Sequence, residues 1–457
     1  MMIDIFLIII TFFIGIIILA TVVKKPYLFW PILIAISVGT GGLLIGGYLI
    51  GGYFWVDEFL LGCLLVGTCV SVLIKRTNLY GKRRNLTEKL HLWIFYIFIF
   101  YMVFQTIRGF FIWQEDLIKI VRWIIFYLML GVLAFLLSRN PFSHFSKRSA
   151  VLIIFISAFL YLLSYLMHGT LSGLLRGINW LSLQGFEWSG SAYATFPLLI
   201  ASVAAVFLVK EKKLYYILLG VALFALGIIV SVYYSSRVSL LVVLFFIVLL
   251  LFISKISLKK KVAILFFFFF IASTLIWQTA PKEIKNYYVV LFQGEKKYEI
   301  WKRQGGDIDR YMHFRASLDA VRTDWKTLLF GYGIYGHRSI LVPYLQELSN
   351  RYRNGAIVEG PIRTTGFSAL IVDAGWVGIL LFAANFLLLG WQILYKNKNS
   401  EKFILVSAVS ISFLWMLVSN IQDLVLLYFL IMPFGLIFQL NKTEEKEINV
   451  IEIPPEI

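Results

Sequence analysis

The chain has 457 residues, of which 60% are hydrophobic and 17% aromatic, with a formal net charge of +17 and a mean hydropathy of +0.84. A water-soluble domain of this size could not carry that composition without large exposed apolar patches, so lipid is the expected solvent for most of it. The basic residues fall in alternate connections between apolar runs, which excludes nucleic acid as the partner their number would otherwise suggest.

A helix needs roughly 17 to 25 apolar residues to cross the hydrocarbon core. Runs of that kind are predicted at about 3–23, 27–50, 57–74, 90–107, 118–138, 149–167, 189–209, 214–234, 238–254, 262–280, 366–395, 403–420 and 423–440. The expected fold is therefore an all-α polytopic integral membrane protein of about 13 transmembrane helices (12 to 14) with one large external loop. Residues 1–280 hold the first ten spans, 281–365 the loop, 366–440 the last three spans, and 441–457 a polar tail. Of the 42 basic residues, 23 lie in the connections at 24–25, 75–89, 139–148, 210–213, 255–261 and 396–402 and in the tail. The short connections between these hold five, namely Arg108, Lys119, Arg122, Arg176 and Arg237. That asymmetry places the N-terminus outside, the C-terminus in the cytoplasm and the long loop outside a plasma membrane.

In chain order, the first run lacks a basic leader and a small-residue cleavage site and reads as a retained helix. The glycines at 41, 42, 46, 47, 51 and 52 read as close helix packing; no strand precedes them and no Lys-Ser or Lys-Thr follows, so a phosphate loop is excluded. Cys63 and Cys69 are six positions apart on one predicted helix and cannot pair. His91 and His144 read as solvated residues of cytoplasmic connections. Glu115, Lys119 and Arg122 mark the outer end of a span.

Arg237 follows Tyr233, Tyr234, Ser235 and Ser236 and directly precedes another apolar run. An arginine at the outer interface either binds an anionic headgroup or phosphate, or snorkels to water. The loop carries Arg310, Arg315, Arg322, Arg338, Arg351, Arg353 and Arg363 among many aromatics, a mixture suited to phosphate and sugar. Helical spacing over 310–329 puts Phe314, Leu318, Val321, Trp325 and Leu328 on an apolar stripe, beside a charged stripe of Arg315, Asp319, Arg322 and Lys326. The charged stripe either presents guanidinium groups to a ligand or is a solvated edge with Asp319 as an internal salt-bridge partner. Gly331, Gly333 and Gly336 read as a tight turn, with approach to a ligand left open. Asp373 falls about 10 Å inside the span that starts at Gly366, at 1.5 Å per residue. A carboxylate at that depth is either functional or paired with an arginine such as Arg363 or Arg237.

Three strings resemble the O-antigen ligase and polymerase family of bacterial surface polysaccharide assembly. They are SSRVSLL, with Arg237 and Leu241 in an Arg-x-x-x-Leu pattern; HFRASLDAVRTDWKTLLFGYG, with a helical Arg315 before a Gly-x-Gly turn; and IRTTGFSALIVDAGWVG, ending at Gly375 and Gly378. The resemblance spans roughly residues 190–395. The family's ligases carry a histidine eleven positions before the first of those last glycines; Thr364 stands there in this chain, which favours a polymerase over a ligase.

The resemblance implies a glycosyltransferase that joins undecaprenyl diphosphate-linked oligosaccharides on the outer face, for lipopolysaccharide or capsule, with flippase and chain-length regulator proteins as partners. It implies no cofactor and no metal. Arg237 and Arg315 would hold the diphosphate, with Arg322, Arg363 and Arg338 behind them, Tyr332 and Tyr335 as sugar contacts, and Asp373 or Asp319 as general base. The alternatives are a ligase and a lipid-linked oligosaccharide flippase, the latter disfavoured by the arginine-rich loop and the lack of a repeated half.

Overall fold

In lipid the backbone must satisfy its own hydrogen bonds, which leaves long apolar runs a helix as the open-ended option. The computed structural model describes residues 2–38, 49–50, 54–74, 86–114, 117–139, 306–352 and 366–396, with isolated positions in 152–155 and 257–274. Apart from one short hairpin, the regular structure of these residues is helical. Helix α1 (Met2–Lys24) stops ahead of Pro26, which opens a 3-10 turn (Pro26–Leu28) leading into α2 (Phe29–Val38). The expected helix over 27–50 does not reach its end: β1 (Leu49–Ile50) pairs antiparallel with β2 (Phe54–Trp55), Leu49 opposite Trp55 and Ile50 opposite Phe54. Paired glycines crowd this part of the sequence, and each weakens a helix by about 1 kcal/mol relative to Ala.

Helices α3 (Val56–Ile74), α4 (Leu86–Trp113) and α5 (Leu117–Arg139) follow. Residues Lys89–Trp113 of α4 and Gly366–Gln392 of α9 (Gly366–Lys396) are long and apolar enough to cross a membrane, and α1, α3 and α5 contain shorter apolar stretches. The outward faces of α1, α4 and α9 expose Phe13, Ile16, Phe100, Phe104, Phe111, Leu380 and Leu387. Exposed apolar surface is unfavourable in water at roughly 25 cal/mol per Å2, so these faces suit hydrocarbon. Helix α4 is longer than its apolar run, so Arg108 lies on the helix and not in a connection. His91 also lies on α4 and is fully buried, where a solvated residue was expected; Asn385 and Gln392 of α9 are buried with it.

The described part of the loop holds α6 (Gly306–Val321), α7 (Trp325–Phe330) and α8 (Gly336–Tyr352). One helix was expected over 310–329; the chain breaks between Val321 and Trp325, where Asp324 is extended. Hydroxyls meet the freed carbonyls: Thr323 donates to Ala320 O at 2.9 Å and Thr327 to Val321 O at 3.1 Å. The buried face of α6 is Met312, Ala316, Ser317, Ala320 and Val321, while Phe314 and Trp325 of the expected apolar stripe are exposed. Small residues let the α6 backbone approach α8 and α9 closely, which outweighs side-chain hydropathy in choosing the face.

Candidate functional site

Helix α9 is interrupted at Gly375, whose φ of 62° and ψ of −165° belong to a region open in practice to glycine alone. A break at this point in an apolar helix frees backbone carbonyls that apolar surroundings cannot satisfy. Here the loop satisfies them. Tyr332 N–H donates to Val372 O at 2.7 Å and Gly333 N–H to Asp373 O at 2.9 Å. The Tyr101 hydroxyl of α4 donates to Ala374 O at 2.6 Å.

The turn between α7 and α8 is thus laid into the break, and its glycines are explained by that contact. A Cβ at Gly331 (φ 65°) would sit 2.6 Å from the backbone of Val372 and Asp373, and one at Gly375 would sit 2.5 Å from Gly331 N. Gly333 (φ 86°) lies against the backbone of Gly109. Helices α4 and α5 fasten the other side: Ile334 N–H donates to Gln105 O at 3.0 Å, and Gln105 Nε2 to Phe330 O at 2.8 Å. Trp113 Nε1 donates to Tyr332 O at 3.1 Å, and Trp123 Nε1 to the Tyr335 hydroxyl at 2.5 Å. Tyr335 has a φ of 74°, a strained value for a bulky residue, and is held there by Trp123 and by the Arg338 guanidinium 4.5 Å from its ring centre.

Beneath this turn lies a buried acid–histidine pair. Asp373 Oδ1 accepts the His337 backbone N–H at 2.9 Å, and Asp373 Oδ2 lies 2.8 Å from His337 Nδ1. His337 is 0% and Asp373 3% exposed. Because His337 opens α8, one carboxylate both caps that helix and fixes the ring. A proton shared on Nδ1 leaves the lone pair on Nε2, and Nε2 has no hydrogen-bond partner among the described residues. The arrangement has the parts of a general base: a ring nitrogen free to take a proton and an acid that orients the ring and stabilises its charged form.

Asp373 was read as either functional or paired with an arginine such as Arg363 or Arg237; among the described residues it pairs with His337. Arg237 and Arg363 lie outside the described residues. Arg315 is bound to Asp319 at 3.0 Å on an exposed edge of α6, its side chain 49% exposed. Arg322 is exposed beyond the end of α6. Tyr335 is buried in the turn. Tyr332 is half-buried, with its hydroxyl donating to Ala320 O at 3.0 Å. Tyr344 stands nearby on α8; its phenol is pushed above the ordinary value by burial, then by Tyr332 and Asp319.

Gln105, Trp113 and Trp123 escaped sequence reasoning as members of the site. The available signal for His337 was its place directly after the glycine turn. Among the described residues no group of three His, Cys, Asp or Glu side chains could hold a metal. Comparison with protein-family models, curated proteins and solved structures finds no match to this chain.

Proposed function

We propose that the chain is a polysaccharide repeat-unit polymerase of a plasma membrane, with about 13 spans, its N-terminus outside and its C-terminus in the cytoplasm. It joins undecaprenyl diphosphate-linked oligosaccharides on the outer face. The observation that carries this reading is the buried His337–Asp373 pair where the external loop enters the broken α9. Discontinuous helices at membrane depth recur where a protein builds a binding site. The resemblance of the three strings supplies the substrate class, and Thr364 in the ligase histidine's place favours extension over ligation.

In the proposed reaction an acceptor hydroxyl oxygen attacks the anomeric carbon of the lipid-linked glycan. A new C–O glycosidic bond forms, the anomeric C–O bond to diphosphate breaks, and the lipid diphosphate leaves with the bonding pair. The hydroxyl proton passes to His337 Nε2, and Asp373 stabilises the imidazolium. Since His337 is sealed from solvent, residues covering it move to admit the hydroxyl. Charge develops on the leaving diphosphate, and arginines placed in advance stabilise it, each charge-assisted contact contributing on the order of 1.5 to 3 kcal/mol. Arg237 and Arg315 are the proposed ligands, the latter by exchanging Asp319 for phosphate, with Arg322, Arg363 and Arg338 supporting.

The test is incubation of the purified full-length protein with lipid-linked repeat units in a bilayer. A ladder of longer glycans on the carrier is expected. Folded protein that yields no ladder, or that moves single units to a different acceptor, overturns the polymerase reading.

A further inference from the structure

Arg108 lies in the outer part of α4, five residues before its end at Trp113, or about 7.5 Å along the axis at 1.5 Å per residue. Residues 104, 107, 108 and 111 share one helix face. The other three, Phe104, Ile107 and Phe111, are exposed apolar side chains, so the guanidinium stands in the middle of a lipid-facing stripe. It has five N–H donors. Its acceptors among the described residues are Phe330 O at 3.0 Å and, at the limit of a hydrogen bond, Gln105 Oε1 at 3.5 Å. No acid pairs with it among the described residues.

A cation at that depth is costly unless an anion meets it, and the anion that an outer leaflet supplies at headgroup level is phosphate. The position is also tied to the site. Gln105 and Gly109, on either side of Arg108, carry the backbone contacts to Ile334, and Phe330 precedes the turn that covers His337. Phe330, whose carbonyl Arg108 contacts, is itself exposed and carries apolar surface onto α7.

We infer that Arg108 is a phosphate-binding residue for a lipid of the outer leaflet, seating the lipid phosphate beside the 331–336 turn with its chain along the stripe of Phe104, Ile107 and Phe111. The Phe330 carbonyl holds one edge of the guanidinium and leaves the other for a two-oxygen contact with phosphate. This rests on the membrane placement proposed above and not on the transfer reaction.

The test is lipid binding to the full-length protein by native mass spectrometry, which needs no turnover. The probes are undecaprenyl diphosphate, phosphatidylglycerol and, as the phosphate-free reference, undecaprenol. Arg108→Gln keeps a donor for the Phe330 carbonyl and removes the charge. It is expected to weaken a phosphate-bearing lipid by about tenfold or more, the size of one charge-assisted contact, and to leave undecaprenol unchanged. Loss confined to undecaprenyl diphosphate assigns the site to the carrier; loss confined to phosphatidylglycerol assigns it to bilayer headgroups; loss of both assigns it to lipid phosphate in general. Unchanged binding of both, or an equal loss of undecaprenol, overturns the inference. If the Gln variant does not fold, Arg108→Lys is expected to weaken phosphate-lipid binding severalfold because an ammonium cannot form the fork, and wild-type binding by that variant overturns it equally. A missing glycan ladder with intact Arg108-dependent binding would remove the polymerase reading and leave this one standing.

Discussion

Replacing Gly331 by Ala tests the central contact, the seating of the turn in the break of α9. The backbone there has φ 65° and ψ −161°, and an L-residue in that region costs about 1–3 kcal/mol. The added Cβ would also lie 2.6 Å from Asp373 C and Val372 O and 2.7 Å from Ala374 N, all backbone atoms without a rotamer to yield. Overpacking of that kind adds about 1–3 kcal/mol. Should the turn lift to relieve it, the bonds from Tyr332 and Gly333 to Val372 and Asp373 are lost, at about 0.5–1.5 kcal/mol each. The expected destabilisation is therefore about 2–6 kcal/mol, a large share of the roughly 5–15 kcal/mol that keeps a domain folded. It is measured as the apparent midpoint of thermal unfolding in one detergent at one scan rate, since the midpoint of an irreversible transition depends on scan rate. Gly390→Ala is the control: it lies within α9 with nothing within 4 Å of its added Cβ, and is expected to be neutral or stabilising by up to about 1 kcal/mol. A Gly331→Ala protein with the wild-type midpoint would refute the claim that this glycine exists for backbone contact.

Asp373→Asn keeps an acceptor for the His337 N–H but disfavours the tautomer with a free Nε2, so glycan extension should fall by a factor of about 100 to 10,000 with the unfolding midpoint little changed. Asp373→Ala leaves buried donors on His337 unmet and should in addition lose about 1–3 kcal/mol of stability. Arg315→Ala breaks an exposed pair and should change stability by less than about 1 kcal/mol while abolishing extension, with Lys restoring little; full extension by the Ala variant would remove it from the site. In a background without Cys63 and Cys69, single cysteines at Gly294 or Gly355 should react with an impermeant thiol reagent from outside and one at Lys212 should not, by alkylation of whole cells. Deleting the chain from its host should leave single repeat units on the final acceptor; long glycan stranded on the carrier would instead identify a ligase.

What the sequence determined by itself is what depends on local composition. The apolar runs at 3–23, 57–74, 118–138 and 366–395 coincide with α1, α3, α5 and α9, because hydropathy and length suffice to define a helix in lipid. A carboxylate at position 373 was legible as exceptional for the same reason, since any charge inside an apolar run demands a partner. Which partner it takes was settled by tertiary structure: His337 is 36 positions away in a polar loop, and its place after the glycine turn does not say that it meets residue 373. Helix α6 shows the same limit, for its buried face follows how closely Ala316, Ser317 and Ala320 let two backbones approach, a property of the neighbour as much as of the helix. The glycines at 331, 333 and 375 could be read as a turn but not as two halves of one joint, since each is required by backbone that only the fold brings against it. Arg108 was assigned to a connection because the apolar run ends before it. Its place on the helix follows from the continuation of α4 to Trp113, whose indole donates to Tyr332 O across 219 positions, as part of the same packing that closes the turn over the buried pair.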